Sequence, residues 1–129
     1  MKFQLRINKI ILLLLLLGII GCMYLTTLPL SIRYGDAGLL AAAATKLGVP
    51  HPPGFPSYMI LSHLFTLLPF GSLLFRLELF SVLSALILLA ILFWYLAKNT
   101  GTASAFLGCL ALAGSYSFWS QAVNAEAFI

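Results

Sequence analysis

Three carboxylates, Asp36, Glu78 and Glu126, are the only acidic side chains among the 129 residues of this chain. A carboxylate can act as a general base towards a hydroxyl group, and an ionisable group within or beside an apolar segment is costly enough to indicate a function. Asp36 stands between Gly35 and Gly38, which let other groups approach the backbone. Because aspartate is also a good helix N-cap, a catalytic role and a capping role are both open for Asp36.

Basic side chains surround Asp36 in the sequence, namely Arg33, Lys46 and Arg76. The planar fork of an arginine can hold two oxygens of a phosphate group. Isolated basic residues at helix ends more often extend toward lipid headgroups, so both interpretations stay open. Arg76 and Glu78 are also close enough in sequence to compensate each other's charge.

Residues that bind metals or activate nucleophiles form no recognisable pattern. The histidines, cysteines and acidic residues lack the spacing of a metal site, and the sequence has neither a glycine-rich phosphate loop nor a Ser-His-Asp pattern. Cys22 and Cys109 lie in apolar runs, where we expect them to be packing residues. No cofactor is therefore predicted, and a divalent metal ion is left open without support from the residues.

The composition shows what surrounds these groups. Hydrophobic residues make up 62% of the chain and charged residues 8%, whereas soluble domains have about half and about a quarter. So few charged side chains cannot cover the surface of a soluble domain. We therefore predict an all-α integral membrane protein, for which lipid is the solvent.

Three runs without a charged side chain are long enough, or nearly so, to cross a bilayer, since about 20 helical residues are needed. We predict three transmembrane helices, at residues 10–30, 73–98 and 102–119. Residues 1–9 are then a cytoplasmic amino terminus and 120–129 an outer segment. The last residues carry no helix stop and no terminal signal, so a truncated chain is expected.

The outer loop, residues 31–72, is predicted to contain two short interfacial helices. The first follows Asp36 as N-cap and ends with Gly48 as its C′ residue. Ser57 is predicted to cap the second, which at about 20 Å is too short to cross, and Ser72 to start the next span. Between the two helices, three prolines in residues 52–56 predict a rigid, irregular loop.

The basic residues near the amino terminus predict the orientation of the chain, although the charge bias over all loops does not settle the topology by itself and the lengths of the segments favour three spans. Lys2, Arg6 and Lys9 precede the first apolar run, which indicates a cytoplasmic amino terminus and a multi-pass protein of a plasma membrane, of bacterial type. The net charge of +4 therefore does not indicate nucleic acid. A lipoprotein cleavage site before Cys22 is an alternative, but the sequence continues apolar after Cys22.

Several motifs between the predicted spans resemble one family. They are Gly35-Asp36-Ala37-Gly38, the HPPGFP string at 51–56, the LLPFGS string at 67–72, and the FWSQA string at 118–122 with Glu126. These strings are similar to the amino-terminal part of the protein O-mannosyltransferase-like family of membrane proteins, which belongs with the GT-C glycosyltransferases. The resemblance extends from about Gly35 to the end of the chain.

The resemblance implies a GT-C-like fold with two short helices in the first outer loop. It also implies transfer of a sugar from a polyprenyl-phosphate donor to an acceptor hydroxyl of a protein or glycan, often on Ser or Thr. An acidic residue of the first outer loop does the key work in such enzymes, and that position falls to Asp36. The substrate-binding residues expected beside it are Arg33, His51, Arg76 and Glu126.

A different class of protein remains as the alternative. A non-catalytic membrane subunit, or part of a transporter, would have the same apolar spans, and Asp36 would then be only a helix cap. Dependence of sugar transfer on the Asp36 carboxylate distinguishes the two.

Overall fold

The computed structural model describes residues 2–29, 37–50 and 55–124, with the side chains of 2–7 and of Ala37 left out. Within these residues the chain forms α-helices and no strand, which confirms the all-α prediction. The helices are α1 Lys2–Thr26, α2 Ala37–Lys46, α3 Pro56–Thr66, α4 Leu73–Asn99, α5 Thr102–Gly114 and α6 Tyr116–Ala122.

The first helix begins and ends earlier in the sequence than the apolar run alone predicts. It begins at Lys2, because nothing in the polar segment before Ile10 breaks a helix. It ends at Thr26, three residues before Pro29. The hydroxyls of Thr26 and Thr27 donate hydrogen bonds to the carbonyl of Met23 (3.0 and 2.9 Å), so they satisfy an acceptor that the helix end leaves open.

Helices α1, α4 and α5 lie side by side in alternating directions. Near the start of α1, Lys9 Nζ donates to the carbonyl of Ala97 at the end of α4 (3.2 Å), so α1 and α4 are antiparallel. Near the end of α1, the Tyr24 hydroxyl donates to the carbonyl of Ala113 at the end of α5 (2.9 Å), so α1 and α5 run in parallel.

The core lies between these three helices. Helix α5 contributes small buried residues spaced four apart, Ala105, Cys109 and Ala113, and small side chains let helices in a membrane approach closely. Larger side chains from α1 and α4 fill the remaining space. Those that are almost fully buried are Leu16, Ile20, Tyr24, Val82, Leu89 and Phe93.

Two segments, Asn8–Thr26 of α1 and α4 itself, are long and apolar enough to cross a membrane. Only 22% of the apolar window of each is buried, so they are not the core helices of a soluble domain. Large side chains point outward instead, such as Leu14 (63% exposed) and Ile91 (63%). A helix with this pattern has an apolar surface suited to lipid.

The third predicted span differs from the expected continuous helix. Helix α5 has 13 residues, about 20 Å, and α6 follows after a break at Ser115, whose backbone is extended (φ −67°, ψ 138°). Residues 102–122 therefore contain two helical pieces, and three membrane crossings remain a prediction.

Helices α2 and α3 pack together against the beginning of α4, and we call this the hairpin end of the bundle. His63 Nδ1 lies 2.7 Å from the carbonyl of Ala44 and joins α3 to α2. The ring of Phe80 on α4 contacts Tyr58 and Phe65 of α3, with centroids 5.5 and 5.2 Å apart. The opposite end of the bundle carries Lys9 and Lys98 on α1 and α4, so it is called the lysine end.

The caps of the two short helices correct two details of the sequence analysis. Leu47 takes the left-handed C′ position of α2 (φ 50°), and Gly48 N donates to the carbonyl of Ala43 (2.8 Å), which completes a Schellman motif one residue early. The prediction that Ser57 caps α3 is wrong, because α3 begins at Pro56 with Phe55 as N-cap. A proline suits the first helical position, where no amide hydrogen is needed.

Ser72 caps α4 as the sequence predicts. Its Oγ accepts a hydrogen bond from the amide of Phe75 (3.1 Å) while its own backbone is extended. Gly71 precedes it with φ 69°, and a β-carbon at that position would lie 2.7 Å from Cδ1 of Phe75. The turn between α3 and α4 therefore requires glycine at this position.

Replacement of Gly101 by alanine should destabilise the α4–α5 turn. Gly101 has φ 97° and open space around it, so the cost is backbone strain alone, about 1 kcal/mol. Thermal unfolding in detergent measures the effect. Gly18→Ala is the matched control, because Gly18 lies within α1 with no atom near its missing side chain, and it should leave the unfolding temperature unchanged or higher.

Candidate active site

Four of the five predicted site positions lie next to described helices in the sequence. Arg33 and Asp36 precede α2, His51 follows it, and Glu126 follows α6. These four residues lie outside the described part of the chain. Arg76, near the start of α4, is the predicted site residue whose side chain is described.

Arg76 binds the backbone of the α3–α4 turn through all three of its nitrogens. Nη1 donates to the carbonyl of Thr66 (2.7 Å), Nε to that of Phe70 (2.9 Å), and Nη2 to that of Gly71 (3.1 Å). A guanidinium has five N–H donors, so this arrangement leaves two of them for another acceptor. The hydrogen bonds hold the guanidinium at the surface of the hairpin end with a defined orientation.

Glu78 lies one half-turn further along α4 but on the other side of that helix. Two residues of an α-helix are separated by about 200°, so Arg76 and Glu78 leave α4 in nearly opposite directions. Glu78 is 2% exposed, which makes it a buried carboxylate at the hairpin end. A buried ionisable group in a membrane protein commonly serves a function, and the sequence analysis gave this residue little weight.

A cavity of about 380 Å³ opens between α3, α4 and α6. This size lies in the range of ligand pockets, about 300–1,000 Å³. The cavity begins about seven residues after the start of α4, or about 10 Å along the helix, so it extends from the hairpin end into the apolar part of the bundle. Its lining residues are Tyr58, Phe80, Ser81, Ser84, Ala85, Leu88, Phe118, Gln121 and Ala122.

The cavity wall is mostly apolar with a few polar atoms. The hydroxyl of Ser84 donates to the carbonyl of Phe80 (2.8 Å) and that of Ser81 to the carbonyl of Leu77 (3.4 Å). Both hydroxyls use their hydrogen within α4, so toward the cavity they offer acceptor oxygens. Such a wall suits a ligand that is itself mainly an apolar chain.

Sequence reasoning missed the cavity, although a signal for it exists. Ser81 and Ser84 are three residues apart in the uncharged run between Glu78 and Lys98, and residues at this spacing share one helix face. The residues opposite them on α3 and α6 cannot be deduced from a periodicity, because they depend on how the helices pack.

The described part of the chain contains no cluster of side chains that could bind a metal ion. No group of three or more His, Cys, Asp or Glu side chains lies close enough there to hold an ion. Cys22 and Cys109 are both free, the first exposed and the second buried. Cys109 is thus a packing residue, as predicted, whereas the prediction is wrong for Cys22, which is exposed.

Comparison with known proteins gives a match over most of the chain. Residues 36–129 match the domain described as the protein O-mannosyl-transferase TMEM260 N-terminal domain. Protein O-mannosyl-transferase TMEM260 of Mus musculus is 36% identical over 114 residues, which are 84% of this chain and 16% of the mouse protein. No solved structure matches significantly.

The match confirms the resemblance inferred from the motifs at 35–38, 51–56 and 118–122. The chain spans about one sixth of the length of its mouse relative, and the matched region contains every described element from α2 to α6. The chain belongs to the protein O-mannosyl-transferase TMEM260 family, of which it carries the N-terminal domain.

Proposed function

We propose that this chain is the amino-terminal part of a GT-C-type glycosyltransferase. It moves a sugar from a polyprenyl-phosphate donor to an acceptor hydroxyl, on a Ser or Thr of a protein or on a glycan. The observation that carries the proposal is the family match, which begins at Asp36 and includes the hairpin end. The mouse relative is named as an O-mannosyl-transferase, and the same type of transfer is proposed here.

The proposed arrangement in the membrane has three crossings, by α1, by α4 and by α5 with α6. Two observations support it. The three segments alternate in direction, and Lys9 and Lys98 lie at the same end of the bundle. Basic residues mark the cytoplasmic side, so the hairpin end is proposed to face outward.

Site-directed labelling tests this orientation. Single cysteines at Ser57, at the hairpin end, and at Thr100, at the lysine end, are both exposed positions. In a background with Cys22 replaced by serine, a membrane-impermeant maleimide should label intact cells at position 57 and label position 100 only after permeabilisation. Labelling of both positions from the same side contradicts the three crossings.

The proposed chemistry is a single substitution with inversion at the anomeric carbon. The Asp36 carboxylate accepts the proton of the acceptor hydroxyl as its oxygen attacks, and the bond from the anomeric carbon to the phosphate oxygen breaks. Polyprenyl phosphate leaves with the bonding electrons. Its negative charge needs cationic donors, for which Arg33 and the two remaining N–H groups of Arg76 are proposed, while His51 and Glu126 contact the sugar or acceptor.

The cavity between α3, α4 and α6 is proposed to hold the first isoprene units of the donor. Its wall is mostly apolar and extends from the hairpin end toward the middle of α4. A lipid chain in this cavity would leave its phosphate near the beginning of α4, where Arg76 lies. A donor carried in the bilayer also explains the lack of a nucleotide-binding loop in the sequence.

Asp36→Asn should lower the rate of transfer from a radiolabelled lipid-linked sugar by a factor of about 10² to 10⁴, the usual contribution of a general base. Asp36→Glu is the matched control, since it keeps the carboxylate and should keep measurable activity. Equal unfolding temperatures of the two variants would show that the loss of transfer activity does not come from a loss of stability.

Two results would contradict the proposed reaction. Full activity of Asp36→Asn would remove this residue from the mechanism and favour the non-catalytic subunit or transporter. Transfer that requires a nucleotide sugar instead of a lipid-linked sugar would remove the proposed donor.

Arg76→Gln should lower both stability and affinity for the donor. It removes three hydrogen bonds to carbonyls of the α3–α4 turn, of which the one to Thr66 is part-buried and the other two are exposed, so the loss should be close to that of one intramolecular hydrogen bond, about 0.5–1.5 kcal/mol. Thermal unfolding and the KM for lipid-linked sugar are the measurements. Lys98→Gln, an exposed charge at the lysine end, is the control and should change neither. A loss of stability with an unchanged KM would restrict Arg76 to a structural role.

A further inference from the structure

The break between α5 and α6 has its own hydrogen bonds. At Ser115 the extended backbone interrupts the helix, and both the amide and the hydroxyl of Ser115 donate to the carbonyl of Leu112 (3.1 and 2.7 Å). The carbonyl of Ser115 then accepts from the amide of Trp119 (2.9 Å), which begins α6. The local sequence thus stabilises the break but does not determine the direction that α6 takes after it.

Two hydrogen bonds hold the chain on both sides of this break, one donated by a side chain of α1 and one accepted by Thr27, directly after α1. Before it, the Tyr24 hydroxyl donates to the carbonyl of Ala113 (2.9 Å). After it, Trp119 Nε1 donates to the hydroxyl oxygen of Thr27 (2.9 Å). Tyr24 is fully buried, and Thr27 is fixed in turn because its hydroxyl donates to the carbonyl of Met23 (2.9 Å). We call this pair of hydrogen bonds the α1 latch.

The latch contacts a different face of α6 from the one that lines the cavity. Trp119 faces α1, whereas Phe118, Gln121 and Ala122 line the cavity. Because α6 has only seven residues and follows an irregular junction, a rotation that breaks the contact with Thr27 also moves the cavity wall. Tyr24 and Ala113 are 89 residues apart in the sequence, so the hydrogen bond that fixes the chain before the break depends on the tertiary structure.

We propose that Tyr24, Thr27 and Trp119 are positioning residues, whose hydrogen bonds hold α6 as the third wall of the cavity and so set the affinity for an apolar ligand. The functional part of this statement rests on the proposed function, in which the ligand is the polyprenyl chain of the donor. The mechanical part, that the latch sets the position of α6, does not depend on any activity.

Thiol labelling tests the mechanical part. Ala122 lines the cavity and is 4% exposed, so a cysteine at this position, with Cys22 replaced by serine, should react slowly with a membrane-soluble maleimide. Tyr24→Phe and Thr27→Val each remove one latch hydroxyl with little change of shape. Each should raise the labelling rate at position 122 about two- to tenfold, the range expected for the loss of one hydrogen bond.

The chain offers matched controls for both substitutions. Tyr95→Phe removes the hydroxyl of an exposed tyrosine on α4 (66% exposed). Thr26→Val removes an exposed hydroxyl that bonds only to carbonyls of its own helix. Both controls should leave the labelling rate unchanged. If Tyr24→Phe and Thr27→Val also leave it unchanged while remaining folded, the latch does not position α6 and the proposal is wrong.

Kinetics in the full-length protein test the functional part. Loss of one latch hydrogen bond, in Tyr24→Phe or in Thr27→Val, should raise the KM for lipid-linked sugar about two- to tenfold, with a smaller change in kcat. Faster labelling with an unchanged KM overturns the link between the cavity and the donor. If no variant and no parent protein transfers sugar from a lipid-linked donor, the proposed function fails, whereas the labelling result still decides whether the latch positions α6.

Discussion

Backbone carbonyls at helix ends need hydrogen-bond donors, and an apolar surrounding supplies no water to provide them. In this chain some of the donors are local, such as the hydroxyls of Thr26 and Thr27, and others come from side chains of other helices. In each of the described helices α2 to α5, a carbonyl of the last turn accepts a hydrogen bond from a side chain of another helix. The four donors are Lys9, Tyr24, His63 and Arg76. These hydrogen bonds join each helix end to a neighbour and thereby set how the helices are arranged.

The hairpin end shows how this requirement shapes a candidate site. Arg76 orders the turn between α3 and α4 and still has donors for an anion, so one side chain combines a structural role with a proposed binding role. Tyr24 and Trp119 hold the two sides of the α5–α6 break, and the cavity wall follows from them. The proposed donor site combines this cavity, whose first lining residue on α4 is Phe80, with Arg76 four residues earlier on the same helix.

Helix positions that depend on local chemistry could be predicted well, and those that depend on packing could not. The cap at Ser72 and the irregular turn at Gly71 follow from residues that are adjacent in sequence. The break at Ser115 was missed, because serine is tolerated in a helix and because the hydrogen bonds that join its two sides to Tyr24 and Thr27 link residues far apart in the chain. Phe55 was missed as a cap because its left-handed backbone is unusual for a bulky residue.

The sequence by itself determined the helical class and indicated lipid as the solvent, because a low charge content and long uncharged runs suit a bilayer. Its short motifs pointed to the O-mannosyl-transferase family, which the match over 36–129 confirms. Only the tertiary structure decided where Arg76 directs its guanidinium, that Glu78 is buried, and which helices enclose the cavity. These features depend on contacts between residues far apart in the chain, and no local pattern records such contacts.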